Sequence, residues 1–267
     1  IIENILIVFG GGMIPKIIHF VWIGNNNKPD YVLQCIESWK KFCPDYEIIE
    51  WNEDNFDVNM TIYTQQAYSA KKYAFVSDYA RMWVLYQYGG LYFDTDVEIL
   101  KPLDDIISRG GFMGMEKVEG STFDNFEEGT VLVNAGLGLG VEKGNALYKE
   151  ILDVYNEKHH IGWNGKHTGT VVTTTTNNLL KKTRLEKDKI TEIDGIFIYP
   201  DEYFDPMNFY TKEITITENT RTIHKYATTW ATKNTRLNAV YERLKNLYSR
   251  IYIMVMKKAP VIEKHLK

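Results

Sequence analysis

Pro15–Ile23 (PKIIHFVWI) is a run of β-branched and aromatic residues that stops at Gly24-Asn25-Asn26-Asn27, a pattern that predicts a core strand and then a loop. Asp30–Phe42 lines up Val32, Leu33, Ile36, Trp39 and Phe42 along one side, the spacing of an amphipathic helix. Tyr46–Trp51 predicts a second short strand. Tyr68–Tyr88 predicts one long helix closed by Gly89-Gly90, the expected stop signal. From Tyr73 onward that helix is apolar nearly all round, so it should be buried. Leu91–Val97 returns to strand character and carries two acidic residues, Asp94 and Asp96. Farther on, Gly110–Met115, Ile196–Tyr199 and Thr215–Ile216 predict strands, and the glycine-punctuated run Thr130–Val141 predicts a strand and a turn. Asn145–Tyr155 predicts a helix, and His167–Leu180 a turn followed by a helix. Strands alternating with helices predict an α/β domain with a mainly parallel, Rossmann-like sheet flanked by helices.

The buried helix and the strand after it hold the candidate chemistry. On a strand, Asp94 and Asp96 would face the same way, roughly 6.6 Å apart along the backbone. Two carboxylates that close repel unless a cation or a proton holds them, and Mg²⁺ or Mn²⁺ is the usual holder. The competing reading is a solvated DxD turn. Asp78 and Arg81 lie at i and i+3 on the helix and so share a face. They predict either an internal ion pair or a pair handling anions and hydroxyls beside a pocket. In open α/β sheets ligands sit at the carboxyl ends of strands, which places Trp22 and the acidic pair at one crevice.

Composition narrows the class. The chain has 267 residues and a formal net charge of −4, which excludes a nucleic-acid binder driven by bulk charge. The charge is uneven: residues 240–267 carry +5, leaving −9 elsewhere. That tail also contains an apolar, aromatic run, Tyr248–Met256. It predicts either peripheral contact with an anionic membrane or a docked helix with a solvated basic face. No stretch has the eighteen or so apolar residues of a membrane span. Cys35 and Cys43 lie eight apart in what reads as one helix, too far to bridge, which fits a reducing compartment. The expected location is cytoplasmic, with the basic tail giving peripheral contact at the inner membrane face. Residues 1–12 precede Met13 and read as an N-terminal extension, with translation expected to start at Met13. The expected organisation is that extension, one domain over 13–239, and a basic tail over 240–267.

Taken together, Trp22, Asp78, Arg81, Tyr92, Asp94 and Asp96 make the chain resemble glycosyltransferase family 32. That family includes capsule-polysaccharide sugar transferases, initiating mannosyltransferases of the yeast type and, distantly, the clostridial glucosylating toxins. FVSDYARMWVLYQYGGLYFDTDV is similar to its most specific signature, and PKIIHFVWIG to its first strand. YPDEYFDP and IHKYATTW resemble two downstream elements. HTGTVV departs from a TGP element by placing Thr170 and Val171 where proline is usual.

The resemblance implies a GT-A fold, a nucleotide-sugar donor with UDP-sugars favoured, Mn²⁺ or Mg²⁺, and retention of anomeric configuration. It implies that Val21 and Trp22 meet the base and that Asp78 and Arg81 hold the sugar and its phosphate side. Tyr92 and Asp94 would contact the ribose end, with Asn134 beside the donor sugar. The metal would be held by Asp96, with Asp94 and His224, and Trp230 would close over the diphosphate. The expected acceptor is an oligosaccharide or lipid-linked saccharide of capsule or surface-polysaccharide synthesis, and the alternative is a protein, as for the toxins. Asp124, Glu127 and Glu128 are candidate acids in a polar loop; His159, His160 and His167 read as loop histidines. Two other classes compete: a phosphatase of the haloacid-dehalogenase type using Asp94 as nucleophile, and a silent sugar-nucleotide binder.

Overall fold

A computed structural model describes residues 13–117, 130–161, 168–209 and 211–227. Chain order is β1 (Ile17–Val21), α1 (Asp30–Phe42), β2 (Glu47–Trp51), α2 (Ile62–Ser69), α3 (Tyr73–Tyr88), β3 (Gly90–Tyr92) and β4 (Val97–Ile99). Then come α4 (Asp104–Ile107), β5 (Gly111–Gly114), β6 (Leu139–Val141), α5 (Ala146–Asn156), α6 (Val171–Leu180), β7 (Thr191–Ile193), β8 (Ile196–Tyr199), α7 (Asp201–Phe204) and β9 (Thr222–His224). The main sheet has the order β2-β1-β3-β6-β5-β8-β7. Strands β2, β1, β3, β5 and β8 run one way, and β6 and β7 run against them. The expected largely parallel α/β sheet is present, with one reversed strand in its middle and one at its edge.

Two apolar clusters flank this sheet. One packs Val76, Met82, Val84 and Leu85 of α3 and Tyr148, Ile151 and Tyr155 of α5 against Val21, Tyr92 and Leu139. The other packs Trp39 of α1 against Ile18, Phe20, Leu91 and Phe93. Alternate residues of β1 and β3 therefore face opposite layers, as pleating requires. The α3 helix is buried because both of its long sides are apolar. It stops at Gly89, where φ is +68° and a Cβ would meet the Lys143 nitrogen at 2.7 Å.

The expected single helix over 68–88 is two helices. Lys71, with φ +57°, breaks it between α2 and α3. The Thr61/Thr64 capping box starts α2 on its own. No strand forms at Thr215–Ile216; Ile214 makes one isolated bridge to Met207, and Ile216 is exposed. β-branched residues without a surface to pack on do not make a strand. Residues 1–12 and 240–267 lie outside the described residues. Among the described residues no helix is long and apolar enough to cross a membrane.

His19 staples the junction beneath the site. It is fully buried, its Nδ1 accepts the Trp51 indole N–H at 3.0 Å, and its Nε2 therefore donates to the Gly89 carbonyl at 2.9 Å. Burial pushes its pKa down to about 4, although the Gly89 carbonyl opposes this. The unfolded chain takes up this proton near pH 6.5 and the folded one only near 4. Stability is thus full above about 6.5 and falls as pH drops through this window, by up to about 3 kcal/mol from this group. Urea unfolding at pH 7 and pH 4.5 should register that loss, and His19→Gln should flatten it.

Candidate metal and donor site

The DxD residues do not lie on a strand. β3 ends at Tyr92, β4 begins at Val97, and Asp94–Asp96 form the turn between them, closed by the Val97 N–H donating to the Asp94 carbonyl at 3.0 Å. The expectation of two carboxylates sharing one strand face is corrected accordingly. The turn delivers more: one ligand atom each from Asp94, Asp96 and His224 lies within 4.8 Å of the others. His224 arrives because β9 pairs antiparallel with β4, setting His224 opposite Val97.

Asp94 is held from below. Arg81 Nη1 donates to its Oδ2 at 3.2 Å and Nη2 lies 3.1 Å from its Oδ1. The Tyr92 hydroxyl donates to Oδ1 at 3.0 Å, and the Arg81 guanidinium sits 5.0 Å from the Tyr92 ring centre. Arg81 also donates to Asp78 Oδ1 at 3.2 Å and, through Nε and Nη2, to the carbonyl and hydroxyl of Ser77. The two readings of Asp78 and Arg81 thus merge: the pair is an internal ion pair, and it is wired to the DxD. Burial raises the Asp78 carboxyl to about 6, with Arg81 opposing the rise. The backbone N–H of Val171, at the start of α6, also faces Asp78 and favours its charged form.

Asp96 is oriented from the other side. Its Oδ1 lies 3.0 Å from His224 Nε2, its Oδ2 accepts the Ala227 N–H at 2.8 Å, and its carbonyl accepts the Lys225 N–H at 2.9 Å. Burial alone would raise the Asp96 carboxyl, but His224 and the Ala227 N–H hold it below its ordinary value. Burial alone would lower His224; Asp96 overrides this and raises it to about 9, helped by Asp94 and Asp205. Two carboxylates and an imidazole suit a divalent ion, and the nitrogen donor tilts the choice from Mg²⁺ toward Mn²⁺. The imidazolium now balances the charge that such an ion would balance, so binding it would release the His224 proton.

The other candidates fall as follows. Trp22 lies just past β1, half-buried, with its indole N–H donating to the Asn26 carbonyl at 2.7 Å and the Lys28 ammonium 5.9 Å from its ring. It sits at the same sheet edge as the DxD, because β1 and β3 run parallel with His19 opposite Tyr92. The Val21 side chain is buried in the core, which leaves its main chain to meet a ligand. Tyr92 is buried rather than open to a ribose, its hydroxyl committed to Asp94. Arg81 is likewise only 3% exposed, so it orients carboxylates instead of presenting a free guanidinium to phosphate. Asn134 is buried and its Oδ1 accepts the Gly136 N–H at 2.7 Å, capping a turn packed on Asp94. His160 is buried between Phe75 and Tyr63, a core residue rather than an open loop histidine. Trp230, His167, Asp124, Glu127 and Glu128 lie outside the described residues.

Several participants were not foreseen: Gly136, Tyr226, Asp205 and the Ala227 N–H. Only the glycine-punctuated run after Asn134 signalled close backbone approach. A Cβ on Gly136 would strike Asp94 Oδ2 and come within 3.1 Å of Asn134 Oδ1. Gly136→Ala is therefore expected to push Asp94 off Arg81 and lower donor turnover about tenfold or more, with only a small change in melting temperature. Steady-state kinetics and a thermal melt on the same sample check this.

Residues 29–113 match the model of a family described as a glycosyltransferase sugar-binding region containing a DXD motif. Inositol phosphoceramide mannosyltransferase 1 of Schizosaccharomyces pombe is 29% identical over 111 residues, covering 38% of this chain and 33% of its own length. The chain thus spans about a third of that relative. Glycosyltransferase L373 of Acanthamoeba polyphaga mimivirus is 25% identical over 207 residues, 74% of this chain and 75% of its own. Among solved structures, a glycosyltransferase involved in glycosylation of the major capsid of PBCV-1 superposes with a TM-score of 0.46 at 13% identity, covering 81% of this chain and 96% of that one. The PaToxG glycosyltransferase superposes at 0.44 with 20% identity, covering 63% and 70%.

Proposed function

We propose that this chain, which through residues 29–113 belongs to the glycosyltransferase family with a DXD-containing sugar-binding region, moves a sugar from a nucleoside-diphosphate donor to a saccharide acceptor with the aid of a divalent cation. The observation that carries the reading is the convergence of Asp94, Asp96 and His224 within 4.8 Å at the end of β3, inside the matched region except for His224. Asp96, His224 and Asp94 would hold Mn²⁺ or Mg²⁺, which when bound supplies positive charge to the departing diphosphate.

This chain's own residues do the rest. Arg81 and Tyr92 fix the Asp94 carboxylate so that it need not reorganise during the reaction. Asp78 stands beside them as an acceptor for a sugar hydroxyl. Trp22 offers a flat face to the base at the same sheet edge, worth roughly 1–3 kcal/mol for a stacked base. Trp230 would close the site against water in this reading. We favour a UDP-sugar, retention of configuration, and a surface or capsule saccharide as acceptor. The basic segment 240–267 would bring the protein to an anionic membrane, and removing the residues after Ala239 should abolish partition into anionic vesicles.

The phosphatase alternative expects its acidic motif on the first strand, whereas β1 and β2 precede this one. A panel of UDP- and GDP-sugars should give hydrolysis that depends on Mn²⁺, with NMR of the product reporting the anomer. Failure of every donor to bind or hydrolyse with Mn²⁺ or Mg²⁺ overturns the proposal.

A further inference from the structure

The segment that brings His224 to the acidic pair bends sharply at Tyr226. There φ is +49°, a left-handed conformation that a residue with a Cβ adopts only when its surroundings enforce it. The bend turns the Ala227 N–H onto Asp96 Oδ2 at 2.8 Å. The Tyr226 side chain is gripped on several sides. Its ring meets His224 edge-on with centres 4.1 Å apart and Phe209 edge-on at 5.0 Å, and the Lys212 ammonium lies 5.4 Å from the ring centre. Its hydroxyl donates to Asp205 Oδ2 at 2.6 Å.

Asp205 follows α7 and is fully buried. The same Oδ2 accepts the Lys117 N–H at 2.8 Å, while Oδ1 has no hydrogen-bond partner among the described residues. A buried carboxylate used on one oxygen only is a poor device for stability, since desolvation of the other oxygen goes unreturned. His224 Nδ1 also has no hydrogen-bond partner among the described residues. A histidine that ligates metal is usually aimed by an acceptor at its second nitrogen. Here the Tyr226 ring packs edge-on against the imidazole.

We infer that Asp205, acting through Tyr226, is a positioning residue of the cation site: it locks the bend that sets His224 and the Ala227 N–H against Asp96. The use made of the site rests on the proposed metal-dependent transfer, but the locking itself does not.

Tyr226→Phe keeps the ring and deletes the hydroxyl; Asp205→Asn tests the other partner. Two readouts are taken on the full chain well below its melting temperature: hydrogen exchange in a peptide spanning 222–227, and Mn²⁺ affinity from the resonance of free Mn²⁺. In Tyr226→Phe we expect exchange in this peptide to quicken about tenfold and Mn²⁺ to bind 10–100-fold more weakly, with the melting temperature close to that of the parent. Asp205→Asn should move both readouts the same way. A purely structural role would lower the melting temperature and leave Mn²⁺ affinity alone. If Tyr226→Phe changes neither readout, or quickens exchange while Mn²⁺ binding holds, the positioning role is overturned. A parent that binds no Mn²⁺ would instead sink the metal reading of the site, and the exchange data alone would then decide whether Asp205 locks the bend.

Discussion

Asp96→Ala is expected to lower donor turnover on the order of a thousandfold, equivalent to ~4 kcal/mol of barrier, while the chain stays folded. The side chain meets His224 on one oxygen and the Ala227 N–H on the other, so it belongs to the proposed cation site and also anchors the loop after β9. Removing it takes one of the two carboxylates from the proposed cation site. It also strands the His224 imidazolium in a buried place. That charge is dispensable, because without Asp96 the burial effect on His224 dominates and the ring sheds its proton. The cost to stability is therefore small at pH 8 and grows on acidification. Asp96→Asn separates the two roles, since an amide oxygen still accepts the Ala227 N–H but no longer brings charge to a metal. Both variants should lose turnover and Mn²⁺ binding, and only the alanine variant should loosen the loop. Retention of a tenth of parental turnover by either would show that the site lies elsewhere.

The legible parts of the molecule were those decided by local chemistry. α1 and α3 could be read because their apolar spacing and the Gly89 stop are contained within one stretch of chain. The DxD and the Asp78–Arg81 pair stood out because charge in an apolar run demands a partner. What escaped the sequence depends on residues far apart. β4 and β9 are three residues each, and neither is a strand until the other lies beside it across more than a hundred positions. That pairing brings His224, which the family resemblance alone had singled out, to the acidic pair, and it leaves the DxD as the turn leading into β4. Lys71 breaks the helix without glycine or proline, so no breaker marks the division between α2 and α3. Asp205 and Tyr226 lie in the two downstream elements that the resemblance marked, but their pairing could not be read because they are neighbours only in the fold.

The clamp under Asp94 makes a second strong prediction. Arg81→Met should destabilise the protein by about 3–5 kcal/mol near pH 8, the usual cost of removing one partner from a buried ion pair. Methionine fills much of the volume, so the loss comes mainly from charge: Asp78 and Asp94 are left facing each other with no cation between them. Asp78 is already raised to about 6 by burial even with Arg81 in place. Without the guanidinium it rises further, and the folded state then binds a proton that the unfolded state, with a carboxyl near 4, has released. A raised carboxyl pKa lowers stability as pH climbs from about 4 through the folded value, so the variant should regain stability on acidification. Parent and variant share the opposite trend from His19, which cancels in their difference. Urea unfolding of both proteins from pH 5 to pH 8 should show the gap narrow toward pH 5. Asp78→Asn in the Arg81→Met background should close much of the gap at pH 8 and remove its pH dependence, since it deletes the charge the arginine was there to hold. A gap under 1 kcal/mol that stays flat with pH would mean that Arg81 is not what keeps the two carboxylates together, and Asp94 would need another reason to stand beside Asp96 and His224.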